Sequence, residues 1–224
     1  MFLVDEATRR GAEFIQAAAT KLDIENGLVK AVHAKRKDGT TFTIPCTNVV
    51  IAAGPWTGPL SKLLLPNAIP ITSYAGHSII IRPSVPLSAD CVFMTLTTRG
   101  RNSYHPEIFP RPSGQLYICG VNEDLSLPDT PLDAHPRPKD ISKLKEIADT
   151  LFSDYTIERE QLCFRPMTQH GDPFVGPVQQ LRGVFVGAGH SFWGITLGPG
   201  TGKVLSEMIL NNPLSADISD LTPP

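Results

Sequence analysis

The sequence lacks a long apolar run, a basic cluster and closely spaced cysteines. Its longest uninterrupted apolar stretch, residues 49–53, is far short of a membrane span, which needs roughly 20 residues. With 20 Lys+Arg against 22 Asp+Glu and a net charge of -2, it has no electrostatic footprint for nucleic acid. The opening residues turn acidic at Asp5 and Glu6, too early for a secretory signal. A soluble, cytoplasmic protein acting on a small molecule is expected. The four cysteines, Cys46, Cys91, Cys119 and Cys163, form no C-x-x-C pair, so they read as reduced thiols and no metal site is assigned.

What is abundant is punctuation. There are 21 prolines and 18 glycines among 224 residues, and a proline content of about 9% exceeds the usual ~5%. They fall at the ends of apolar runs, as in a mixed protein with many turns. Residues 5–21 read as an amphipathic helix. Residues 28–34 read as a strand, Asp38-Gly39 as a hairpin turn and residues 41–45 as the return strand. Residues 48–53 suggest a strand buried on both faces, followed by a short helix over 56–65.

The middle has another texture. Residues 78–82, 91–96 and 116–121 read as strands with no long helix between them, which implies antiparallel pairing. A helix is expected over 140–152, capped at Asp140 or Ser142. The last third returns to the first style, with a buried strand at 183–186 and a helix over 199–210. The expected fold class is α/β (α+β), one layered portion interrupted by an antiparallel one. Residues 1–73 and 166–212 belong to the first portion, 74–165 to the second, and 213–224 form a flexible tail.

The most informative segment runs from Val184 to Lys203. A strand ending in Gly187-x-Gly189 lets a flat or anionic ligand approach the backbone, and the helix start beyond it offers unpaired N–H groups. Tight strand–helix packing is the competing reading. A P-loop is excluded, because Leu197 stands where its first Gly would be and Val204 follows Gly202-Lys203. A G-x-G-x-x-G fingerprint fails at Phe192.

Three ordered motifs carry a resemblance. They are Val49-Val50-Ile51-Ala52-Ala53-Gly54-Pro55-Trp56; Arg165-Pro166-Met167-Thr168-x-x-Gly171-x-Pro173-Phe174-Val175-Gly176-Pro177; and Gly189-His190-x-x-x-Gly194-Ile195-x-x-x-Pro199-x-x-Gly202. Together they resemble the FAD-dependent D-amino acid oxidase, glycine oxidase and sarcosine oxidase superfamily over residues 10–210. The resemblance implies a Rossmann-like FAD-binding portion interrupted by an antiparallel-sheet substrate domain. It places Ala53, Gly54, Gly187, Gly189, His190, Gly194, Ile195 and Thr196 against FAD. It makes Arg165 the anchor of a substrate carboxylate, with a buried structural ion pair as the alternative. His190 is the second catalytic candidate, or else a loop histidine bonded to the backbone.

The implied reaction is oxidation of a C–N bond of an amino acid or secondary amine by hydride transfer to flavin, with oxygen as acceptor. Two positions depart from the family pattern: His170 stands for its usual Asp, and Phe192 for the Arg of glycine oxidase-like members. The family's opening strand, G-x-G-x-x-G and ribose-binding acid are not in this sequence, so an amino-terminal third is expected to be missing. Without two or three charge-assisted hydrogen bonds to pyrophosphate, FAD affinity is expected to fall on the order of a thousandfold. The alternative function is a catalytically inactive remnant acting as a binding or interaction module.

Overall fold

The computed structural model describes residues 2–98 and 100–224. Helix α1 (Phe2–Arg9) ends early. Gly11, at φ +97°, takes up the left-handed backbone that closes a helix, and its N–H bonds back to the Thr8 carbonyl at 3.0 Å. The helix expected over 5–21 is therefore corrected. From Ala18 the chain is strand β1 (Ala18–Glu25), antiparallel to β2 (Leu28–Lys35). Asn26 and Gly27, at φ +51° and +73°, supply the paired positive φ of a tight hairpin turn. The alternation Lys21-Leu22-Asp23-Ile24-Glu25 was the strand signal, masked by the alanine-rich spacing before it. Strand β3 (Thr41–Pro45) completes this sheet after the Asp38-Gly39 turn, as expected.

Strand β4 (Val49–Ile51) is next, then a 3-10 turn (Gly54–Trp56) and α2 (Thr57–Leu64). The chain then enters a long antiparallel region: β5 (Thr72–Pro83), β6 (Val92–Phe93), β7 (Leu96–Thr97), β8 (Ser103–Tyr104), β9 (Glu107–Pro110) and β10 (Leu116–Glu123). Helix α3 (Pro138–Leu151) and β11 (Tyr155–Met167) follow. The strand expected over 91–96 is thus two fragments, because Val92 and Phe93 pair with β9 while Leu96 and Thr97 pair with β8. Five strands form one sheet in the order β11-β5-β10-β9-β6. One of its faces is apolar. Ile79, Ile81 and Ile118 meet Ile141, Leu144 and Ile147 of α3, and all six are fully buried.

The chain closes with β12 (Phe174–Pro177), β13 (Val184–Ala188) and α4 (Gly194–Ile209). The sheet order β12-β13-β4 pairs β13 with β4 in parallel, so strands from both ends of the sequence are neighbours. Val50 is 40% exposed because its face of β4 opens on a groove beside α4, which corrects the expectation of a strand buried on both faces. Helix α4 begins five residues before Pro199, which lies inside it. Proline favours the first helical position, and that preference made the expected start too late.

Residues 213–224, expected as a flexible tail, are docked. Ile218 and Leu221 pack on Val175, Phe185 and Leu205. Glu207 accepts hydrogen bonds from the Ser215 N–H and hydroxyl at 2.9 and 3.0 Å. His77 is fully buried on the α3 face. There its Nε2 accepts the Arg137 N–H at 3.2 Å. Asp140 is no cap but a fully buried carboxylate, taking hydrogen bonds from Arg137 Nε at 2.7 Å and Lys143 Nζ at 2.9 Å.

Candidate functional site

Two surfaces meet around the 3-10 turn Ser191–Trp193. The first is a groove of about 450 Å³ between β4, the end of β13 and α4. Gly194, Gly198, Gly202 and Ser206 line it at every fourth position of α4, the spacing that puts side chains on one helix face. Val50 and Ala52 form the opposite wall. A methyl group added at Gly198, Gly200 or Gly202 would meet nothing within 4 Å. The first turn of α4 has no side-chain cap, so its N–H groups face outward with the positive end of the helix dipole.

The residues expected to hold a cofactor separate here. Gly187, His190 and Gly194 line the groove. Ala53 and Gly54 continue the chain just beyond its wall, with Gly54 at φ +55°. Gly189 does not line it. Its φ is +93° and a Cβ there would sit 2.6 Å from Thr168 Cγ2, so packing explains that glycine. Gly187 serves packing as well, since a Cβ would lie 2.8 Å from Leu205 Cδ1. Ile195, 97% exposed, and the exposed Thr196 stand on the first turn of α4 outside the groove. His190 is 8% exposed and its Nε2 lies 2.8 Å from the Thr201 hydroxyl. Burial pushes its pKa below the usual histidine value, so the ring is a neutral strap between the loop and α4.

The second surface is the face of the five-stranded sheet away from α3. Arg165 of β11 lies there, half-buried, with its guanidinium flat on Gly76. A Cβ on Gly76 would fall 2.0 Å from Nη1 and 2.7 Å from Cζ. Nη1 donates to Asn122 Oδ1 at 2.9 Å, and the Phe192 ring covers the other side at 4.6 Å from Cζ. Among the described residues no carboxylate lies within ion-pair distance of Arg165, which removes the structural ion pair. A planar cation held between a bare backbone and an aromatic ring presents its remaining N–H donors edge-on, the geometry that takes a carboxylate in bidentate fashion. Sequence reasoning missed Gly76 and Asn122, which lie far from Arg165 along the chain. The four-residue rhythm of small residues in α4 was visible but unread.

A family model described as FAD dependent oxidoreductase (DAO) matches residues 1–208. The chain belongs to the DAO family of FAD-dependent oxidoreductases. A Schizosaccharomyces pombe protein classed, by name only, as an oxidoreductase is 33% identical over 189 residues, covering 83% of this chain and 47% of the relative. Glycine oxidase of Bacillus licheniformis is 25% identical over 223 residues, covering 96% and 55%. The crystal structure of iminodiacetate oxidase from a Chelativorans species superposes with a TM-score of 0.80 at 19% identity, covering 99% of this chain and 56% of that one. That likeness is one of fold: mixed α/β, Rossmann-like with antiparallel sheets. The chain spans about half the length of the curated relatives it matches.

The residues present fit the family's FAD. A Cβ-free helix face over an apolar groove accepts a flat ring, and the uncapped start of α4 suits an electron-rich edge. Phe192, Trp193 and Ile195, at 50%, 65% and 97% exposure, leave the same region apolar. No helix among the described residues is long and apolar enough to cross a membrane.

Proposed function

We propose that this chain carries the substrate-binding and flavin-facing part of an FAD-dependent oxidase of amino acids or secondary amines. The observation that supports it is Arg165, a half-buried guanidinium with no carboxylate partner among the described residues, set beside the glycine-lined groove. FAD, when bound, supplies a hydride acceptor for the C–H next to the substrate nitrogen. Arg165 binds the substrate carboxylate and Asn122 fixes the guanidinium in its plane. Gly76 and Phe192 cover its two faces and exclude water from them. The row of Gly194, Gly198 and Gly202 leaves room for the cofactor ring, and the first turn of α4 stabilises negative charge on it. His190 holds α4 to the loop and moves no proton. Oxygen is the proposed acceptor of the electrons.

The test is the visible spectrum of the purified protein after incubation with excess FAD and desalting, then a peroxide assay against glycine, sarcosine and iminodiacetate. A retained flavin band and peroxide from at least one amine support the proposal. A folded protein that retains FAD yet oxidises none of them, and whose Arg165→Met variant binds carboxylates unchanged, overturns it.

A further inference from the structure

The sheet β1-β2-β3 contributes to neither surface described above, yet it links three polar side chains, one from each strand. Thr43 of β3 stands opposite His33 of β2. Along this pair of strands the Cys46 N–H donates to the Lys30 carbonyl at 2.9 Å and the Arg36 N–H to the Thr40 carbonyl at 2.8 Å. Hydrogen-bonded and non-hydrogen-bonded pairs alternate in an antiparallel ladder, so His33 and Thr43 form a non-hydrogen-bonded pair, the kind whose side chains come closer. Thr43 Oγ1 lies 3.1 Å from His33 Nδ1, and His33 Nε2 lies 2.6 Å from Asp23 Oδ2 of β1. An ionised carboxylate only accepts, so Nε2 carries the ring proton and the Nδ1 lone pair receives the Thr43 hydroxyl. Hydrogen bonds from Lys21 and then His33 hold the Asp23 carboxyl below its ordinary pKa. Lys21 Nζ, 2.7 Å from Oδ1, fixes the second oxygen. A cavity of about 330 Å³ opens on these groups, lined by Lys21, His33, Phe42 and Thr43 among others, and Thr43 itself is exposed. Because β3 is an edge strand, the same alternation turns the Thr43 N–H away from β2, toward the open side of the sheet.

We propose that Asp23, His33 and Thr43 form a nucleophilic relay, and that Thr43 accepts acyl groups from activated esters. Oγ1 attacks the ester carbonyl while its proton passes to His33 Nδ1. The bond between Oγ1 and the acyl carbon forms, the bond from that carbon to the alcohol oxygen breaks, and the proton on Nδ1 leaves with the alcohol. The Thr43 N–H is a donor for the carbonyl oxygen as it gains charge. Asp23 is a positioning residue: it sets the tautomer of His33 and balances the imidazolium that forms during attack. A phosphoryl donor is disfavoured, because the Asp23 carboxylate repels it and the cation lining the cavity, Lys21, is already held by Asp23.

Incubation of the 224-residue protein with p-nitrophenyl acetate at neutral pH tests this, with nitrophenolate release followed by absorbance and the acetyl groups located by tandem mass spectrometry. The expected result is an acetyl group on Thr43, formed about 100-fold more slowly in His33→Gln, while acetylation of surface lysines stays the same in both proteins. Thr43→Ser keeps the reaction and Thr43→Val abolishes it at that position. In Asp23→Asn acetylation slows, and the ¹⁵N shifts of the His33 ring move from a proton held on Nε2 to a mixture of tautomers. No acetyl group on Thr43, or one that forms equally fast in His33→Gln, overturns the proposal. A His33 tautomer unchanged in Asp23→Asn overturns the role given to Asp23. Should His33→Gln fail to fold, the wild-type adduct map decides alone: acetylation of Lys21 without Thr43 overturns the relay.

Discussion

Replacing Asp140 by asparagine is the sharpest test of how the sheet and α3 are joined. Asp140 is fully buried in the first turn of α3, against Arg137 Nε at 2.7 Å, Lys143 Nζ at 2.9 Å and the fully buried His77 at 3.7 Å. Burial raises its pKa, but hydrogen bonds from Lys143 and Arg137 outweigh that and hold the carboxyl below its ordinary value. Removing one partner of a buried ion pair costs roughly 3–5 kcal/mol. Here the cations keep 37% and 31% of their side chains in water. That screening lowers the expected cost to about 2–4 kcal/mol. At about 2–4 °C per kcal/mol for a chain of this size, the melting temperature should fall by about 5–15 °C.

The sign with pH is fixed by the direction of the shift. A depressed carboxyl contributes stability above its unfolded value of 3.8, lost as pH falls through the folded one. The gap between wild type and variant should therefore be full at pH 7 and close only below about pH 4. Differential scanning calorimetry at both pH values reads this. A variant melting within about 1 °C of wild type at pH 7 would refute the reasoning.

Gly76→Ala should drive the Arg165 guanidinium off its seat, since the new methyl would lie 2.0 Å from Nη1. Carboxylate binding measured by titration should weaken about tenfold or more, with little change in melting temperature, because the displaced group is the far end of a flexible side chain. Burial lowers the pKa of both His77 and His190 from 6.5. A histidine held neutral in the fold contributes stability above that unfolded value, lost as pH falls below it toward the folded one. Urea midpoints should drop as the pH falls below about 6.5, and His190→Gln should flatten part of the drop. Native alkylation with iodoacetamide at about pH 8 should label the exposed Cys91 and Cys163. It should spare the buried Cys119, as mass spectrometry of the digest would show.

Much of the architecture was legible from local chemistry. Asp38-Gly39 announced its hairpin, the apolar residues 184–186 announced a buried strand, and the scarcity of helix in the middle announced antiparallel pairing. The errors have physical causes. Residues 12–22 carry alanines at a spacing that suits a helix, whereas Gly11 and the Asn26-Gly27 turn decide for a hairpin. Pro199 mimicked a helix start because its ring tolerates the helical φ inside α4 as well. Of the site, Arg165 and the groove glycines were readable from residue type. Gly76 and Asn122 were not, because their meaning comes from register across β11, β5 and β10. His190 was found by its loop, but only burial shows that its ring is occupied by Thr201.

The parallel pairing of β4 with β13 joins Val49 to Val184, residues about 135 positions apart, which sets an order of events for the folding chain. The hairpins of β1–β3 and the β5–β10 pair close short loops and form early. Joining β4 to β13 closes a far longer one, at an entropic cost that grows with the logarithm of its length. If the intervening sheet has already condensed, its ends are delivered side by side and most of that cost is met beforehand. The antiparallel sheet that presents Arg165 is then also the scaffold that brings the two halves of the glycine-lined groove together, and its folding rate should govern when that groove first exists.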